Sequence, residues 1–82
     1  ATVTGGGNPY GYEHGEVGTL TDGETDYLVV VNRNCTRPDR ITIHSDRYSS
    51  ARLKDLETGR IYGFDRPIPF QAGDGKLLEI IP

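Results

Sequence analysis

Along most of this chain apolar and polar residues alternate with a period of two. Ile41 and Ile43 are spaced by Thr42 and flanked by Arg40 and His44, and Ala51 and Leu53 alternate with Arg52 and Lys54. That period lines one face of an extended strand with apolar side chains. No window of about 11 residues carries the i, i+3, i+4, i+7 pattern of an amphipathic helix, and glycines interrupt throughout. Strands are predicted at about 16–20, 26–33, 39–44, 50–55, 60–64, 67–70 and 76–81, each bounded by Gly, Pro, Asn or Asp. Val3 is a candidate for one more at the start.

Three segments depart from simple alternation. Tyr27 to Val31 is apolar on both faces, which predicts a central strand covered on both sides. Leu77-Leu78-Glu79-Ile80-Ile81 is also largely apolar on both faces, and it lies almost at the C-terminus. A terminus frays unless tied into a sheet, so this run is expected to be a strand on which the fold depends. In 60–64 the reading places Ile61 inward and Tyr62 and Phe64 outward. Pro67 and Pro69 cannot donate to a ladder, so 67–70 reads as an edge or irregular strand.

The turns are chemically explicit. Asp55-Leu56-Glu57-Thr58-Gly59 fits a type I turn closed by a left-handed glycine. Ala72-Gly73-Asp74-Gly75 is expected to reverse the chain through positive φ at Gly73 and Gly75. Strands with turn signals every 8–12 residues predict an all-β domain over 16–82. The expected fold is a small antiparallel β-sandwich of immunoglobulin-like or Greek-key type, with about seven to eight strands. Residues 1–15, rich in glycine, read as a flexible N-terminal segment or linker. A chain lacking residues 1–12 is therefore expected to fold.

Composition narrows the function. Eighty-two residues, 34% hydrophobic, allow one thin core, and a single cysteine excludes an intramolecular disulfide. Such a domain is marginal alone or leans on something else. The chain contains no methionine, which predicts a processed product or a piece of a longer protein. A net charge of −3 with scattered arginines lacks the concentrated basic face that nucleic acid requires. No apolar run approaches the roughly 18 residues of a membrane span.

The candidate chemistry is sparse. Glycosidase catalysis needs two carboxyls about 5–10 Å apart, and the acids here fall mostly in predicted turns, where an Asp caps its own backbone. No catalytic residue is assigned. His14 and His44 with Cys35 do not have zinc-ligand spacing, so no metal or other cofactor is expected. Cys35 reads as an idle thiol, and Asn34-Cys35-Thr36 matches a glycosylation sequon without other support. The glycine-rich run from Thr4 to Gly11 lacks the Lys-Ser/Thr of a phosphate loop. Tyr10, Tyr12 and Tyr48 fall in predicted loops beside polar residues. They are candidates for stacking on sugar faces, or else they cover the end of the sandwich with their hydroxyls wetted.

Several pieces in order carry a resemblance. "EVGTLTDGETDYLVVVNRN", "ARLKDLETGR" and "PFQAGDGKLLEI" are similar to the C-terminal β-sandwich accessory domain of (β/α)8-barrel glycoside hydrolases. The residues that carry it are Tyr27 to Asn32, Asp55, Thr58, Gly59, and Gly73 to Ile80, and it spans roughly 16–82. It implies a non-catalytic domain that packs on and stabilises the catalytic domain of the same polypeptide, with the catalytic acids on the barrel. Tyr62 and Phe64 are then candidates for the interdomain contact. Such a protein is expected to be secreted, in an extracellular or periplasmic setting. The alternative is an independent carbohydrate-binding module using Tyr10, Tyr12 and Tyr48.

Overall fold

The computed structural model describes residues 1–7, 10, 11, 13–45 and 50–82. Among them are eight strands and no helix: β1 (Thr2–Thr4), β2 (Glu16–Thr21), β3 (Asp26–Val31), β4 (Asp39–His44), β5 (Arg52–Asp55), β6 (Ile61–Gly63), β7 (Pro67–Phe70) and β8 (Gly75–Ile81). They form two antiparallel sheets, one in the order β1-β4-β7 and the other β2-β3-β8-β5-β6. The all-β, two-sheet antiparallel architecture expected from the alternation is the one observed. With no helix among the described residues, none is long and apolar enough to cross a membrane.

The core fills the space between the sheets. Val3, Ile41, Ile43, Ile68 and Phe70 come from the smaller sheet, and Leu28, Val30, Leu53, Leu78 and Ile80 from the larger. The C-terminal strand β8 lies at the centre of the five-stranded sheet, with Leu78 opposite Leu28 on one side and Asp55 on the other. The apolar run at the chain's end is thus held by two neighbours. Strand β7 is an edge strand, with Pro67 and Pro69 exposed and Ile68 and Phe70 buried.

Two facing assignments change. Strand β3 is interior to its sheet, but only Leu28 and Val30 are buried; Tyr27, Val29 and Val31 on the other face are half-covered. The face away from the core has no second layer among the described residues. In β6 the expected facing is inverted. Lys54 pairs with Ile61 and Leu53 with Tyr62, which sends Ile61 outward and sets Tyr62 against the core beside Leu53. Phe64 follows the strand and is buried in the core at 7% exposure.

The N-terminal segment is woven into the sandwich. Strand β1 pairs with β4, with Val3 opposite Ile43 and 8% exposed. Gly5 and Gly6 bridge to His14. The Gly6 N–H donates to Asp39 Oδ2 at 2.8 Å, Gly15 N–H to the Gly5 carbonyl at 2.6 Å, and Arg33 N–H to the Gly6 carbonyl at 2.8 Å. Thr2–Thr4, read from sequence as part of a flexible segment or linker, instead add a strand to the smaller sheet, and Gly5 and Gly6 tie it to His14, Gly15 and the chain after β3.

The two predicted glycine turns divide. Gly59 (φ 78°) and Gly73 (φ 66°) have positive φ, whereas Gly75 does not: it opens β8 opposite Val31. The reversal is made earlier, where Gly73 N–H donates to the Asn34 carbonyl at 2.9 Å and Asp74 N–H to the Gln71 carbonyl at 3.1 Å. Gly59→Val should therefore cost about 1–2 kcal/mol through backbone strain alone, since a side chain there meets open space. Gly75→Ala should be close to neutral, because its Cβ would sit 3.6 Å from Val31 Cγ2, an ordinary contact. Urea midpoints of the two variants check this; the reverse ranking would overturn the turn assignment.

Candidate functional site

The motif residues that carry the resemblance perform structural work. Asn32, 1% exposed, donates from Nδ2 to the Gln71 carbonyl at 3.0 Å and accepts at Oδ1 from Asn34 N–H at 3.0 Å. It staples the chain leaving β3 to the chain leaving β7. Asp55, 2% exposed, accepts at Oδ1 from the N–H groups of Glu57 (2.9 Å) and Thr58 (3.3 Å). Gly59 N–H closes the same turn on the Asp55 carbonyl at 2.7 Å.

Spacing concealed one constellation that folding assembles. Thr4 Oγ1 lies 3.2 Å from His44 Nε2, and His44 Nδ1 lies 2.7 Å from Asp65 Oδ1. Asp65 has φ 61°, the one positive value outside glycine among the described residues, and its N–H donates to the Ile43 carbonyl at 2.8 Å. A hydroxyl, an imidazole and a carboxylate thus stand in the order of a nucleophilic triad. The His44 and Asp65 side chains are however 41% and 61% exposed. Such a site lacks the water-excluded surroundings in which oriented donors stabilise a transition state. Its evident work is mechanical: it ties β1, β4 and the turn between β6 and β7 together.

A cleft of 320 Å³ opens beside the β5–β6 hairpin, between it, β7 and the turn that leads into β8. Thr58, Arg60, Tyr62, Pro69, Gln71, Asp74 and Lys76 line it. Lys76 Nζ is 3.5 Å from Asp55 Oδ2 and 3.7 Å from Asp74 Oδ2, and it lies 5.1 Å from the Phe70 ring centroid. Its charge is answered by two carboxylates. Arg60 forms no ion pair among the described residues. The alternation that carries Tyr62 toward the core face sets Arg60, two positions earlier, on the same side.

The opposite surface of the larger sheet carries exposed apolar side chains on either side of a charged strip formed by Lys54 and Glu79. Register places Leu20, Tyr27, Glu79, Lys54 and Ile61 in one row across all five strands. Gly18, Val29 and Leu77 form the next row. Leu20 is 54% exposed, Ile61 48% and Leu77 41%. Leu56 is exposed beside Leu77, to whose carbonyl its N–H donates at 3.1 Å. Tyr27 belongs to this face, and its hydroxyl donates to Asp22 Oδ2 at 3.3 Å.

The residues nominated from sequence are not gathered into one site. Tyr10 is exposed on the N-terminal loop, while Tyr12 and Tyr48 lie outside the described residues. Tyr62 lines the cleft and Phe64 is core, so neither is on the outer face. Cys35 is exposed with a free thiol. Among the described residues no three His, Cys, Asp or Glu side chains are grouped to hold a metal ion. No family model, curated protein or solved structure matches the chain.

Proposed function

We propose that this chain is a non-catalytic accessory domain that packs on, and stabilises, the catalytic domain of a longer polypeptide. The parent, on the resemblance of its turn and strand motifs, is a (β/α)8-barrel glycoside hydrolase acting outside the cell or in the periplasm. The observation that carries the reading is the outer face of the five-stranded sheet, where Leu20 and Leu77 stand exposed around Tyr27 and Val29, and Ile61 stands exposed at the far edge beyond Lys54 and Glu79. Grouped apolar side chains on one sheet face mark an interaction surface rather than the scattered exposure normal to any protein. The Lys54 and Glu79 pair at its centre supplies polar groups of both signs to orient a partner. Glycan binding by the exposed tyrosines rests, among the described residues, on Tyr10 alone.

The test places Leu20→Lys with Ile61→Lys in the isolated domain and in its parent enzyme. In isolation, loss of two exposed side chains should change stability by no more than about 0.5 kcal/mol each. In the parent the domain's melting temperature should fall by several degrees, since the partner's contribution to folding is lost. Equal effects in both settings would overturn the docking reading.

A further inference from the structure

The cleft beside the β5–β6 hairpin lies on the core side of the larger sheet's edge, and packing through the outer face leaves it open. We propose that it is a binding site for a carboxylated saccharide. Arg60 holds the carboxylate, the Tyr62 and Pro69 rings lie against the flat C–H face of the sugar, and Thr58, Gln71 and Asp74 bond its hydroxyls.

Each part of the ligand follows from a group in the lining. The Arg60 guanidinium has no carboxylate partner among the described residues, and its planar fork matches a carboxylate with two parallel bonds. Lys76 does not compete for that anion, because Asp55 and Asp74 stand 3.5 and 3.7 Å from it. Tyr62 is half-buried against the core, so its ring is held in place and offers a firm apolar surface. Thr58 Oγ1 accepts the Arg60 backbone N–H at 3.3 Å, which leaves its own O–H to donate into the cleft. Asp74 can only accept when ionised, and Gln71 can do both. An anion without hydroxyls would leave Thr58, Gln71 and Asp74 unused. A neutral sugar would leave Arg60 unused. The volume of 320 Å³ is at the low end of ligand pockets, roughly 300–1,000 Å³, and suits one or two sugar rings.

The test is a titration of the whole 82-residue chain, followed by amide chemical shifts, with digalacturonic acid, cellobiose and inorganic sulfate as separate probes. Digalacturonic acid should give saturable shifts at Arg60, Tyr62 and Gln71, and cellobiose should bind at least tenfold more weakly. Arg60→Ala removes an exposed side chain and should leave the spectrum's dispersion intact while weakening digalacturonic acid at least tenfold; Arg60→Lys should recover part of it. Equal binding of sulfate and digalacturonic acid would reduce the cleft to a general anion site and overturn the saccharide assignment. Absence of saturable shifts, or an Arg60→Ala variant that binds as well as the native chain, would overturn the site altogether. None of these outcomes bears on the Leu20 and Ile61 variants, so this site and the docking face fail separately.

Discussion

A chain lacking residues 1–6 is expected to lose about 4 kcal/mol or more of stability. Burial of Val3 contributes about 2 kcal/mol. The bonds from Gly15 to Gly5, from Arg33 to Gly6 and from Gly6 to Asp39 add about 1 kcal/mol each. A domain of this size has roughly 4–12 kcal/mol in all, so the truncated chain is left marginal. The loss also uncovers β4 as a raw edge, with Ile41 and Ile43 no longer shielded by Val3. Gly5→Val reaches the same element without removing a residue. Gly5 has φ 88°, and a Cβ there would collide with the Arg40 carbonyl oxygen, which is backbone and cannot swing aside. Urea midpoints and amide dispersion of both variants report the result. A truncated chain within about 0.5 kcal/mol of the intact one would show that β1 is dispensable.

That prediction reverses what the sequence suggests, and the reason is physical. Strand β1 has three residues and one buried apolar side chain, and its partner in β4 lies some forty positions along the chain (Thr2 opposite His44). A single valine beside a run of glycines has no period to read. Strands β3, β4, β7 and β8 were legible because apolar runs, alternation, prolines and turn residues are local signals. Which face of β6 is buried was not local. Ile61, Tyr62 and Phe64 are all apolar, so the register with β5 decides it, and the pairing of Leu53 with Tyr62 cannot be seen in the spacing. Gly73 and Gly75 both fit a turn by type, yet only one is needed there, and Gly75 is drawn into the ladder opposite Val31. The candidate sites were less visible still. The cleft takes residues from the β5–β6 hairpin, β7 and the β7–β8 turn, and the chain of Thr4, His44 and Asp65 joins three segments. Only the turn chemistry of Asp55 and the stapling Asn32 sat in motifs readable beforehand, and both serve the fold.

Asp55→Ala should cost about 3 kcal/mol, because it strips one partner from a nearly buried charge pair and leaves Lys76 with Asp74 alone. It also orphans the N–H groups of Glu57 and Thr58 at the head of the hairpin. Asp55→Asn keeps an acceptor for those two donors and should lose less. Acid separates the charge from the capping. Burial is the largest single influence on this carboxyl and pushes it up. The N–H groups of Glu57 and Thr58, with the Lys76 ammonium, together outweigh burial and hold it below its ordinary value of 3.8. The folded-state value is thus the lower one, so the carboxylate adds stability that is fully present above the unfolded value and is lost as pH falls through the folded one. The gap in urea midpoint between the native chain and Asp55→Asn should stay level from about pH 7 to 5 and close below about pH 4. A gap that widens in acid would mean that the neutral carboxyl is the form the fold prefers. The hairpin would then be held by the hydrogen bonds alone, and Lys76 would have Asp74 as its one effective counter-charge beside the cleft.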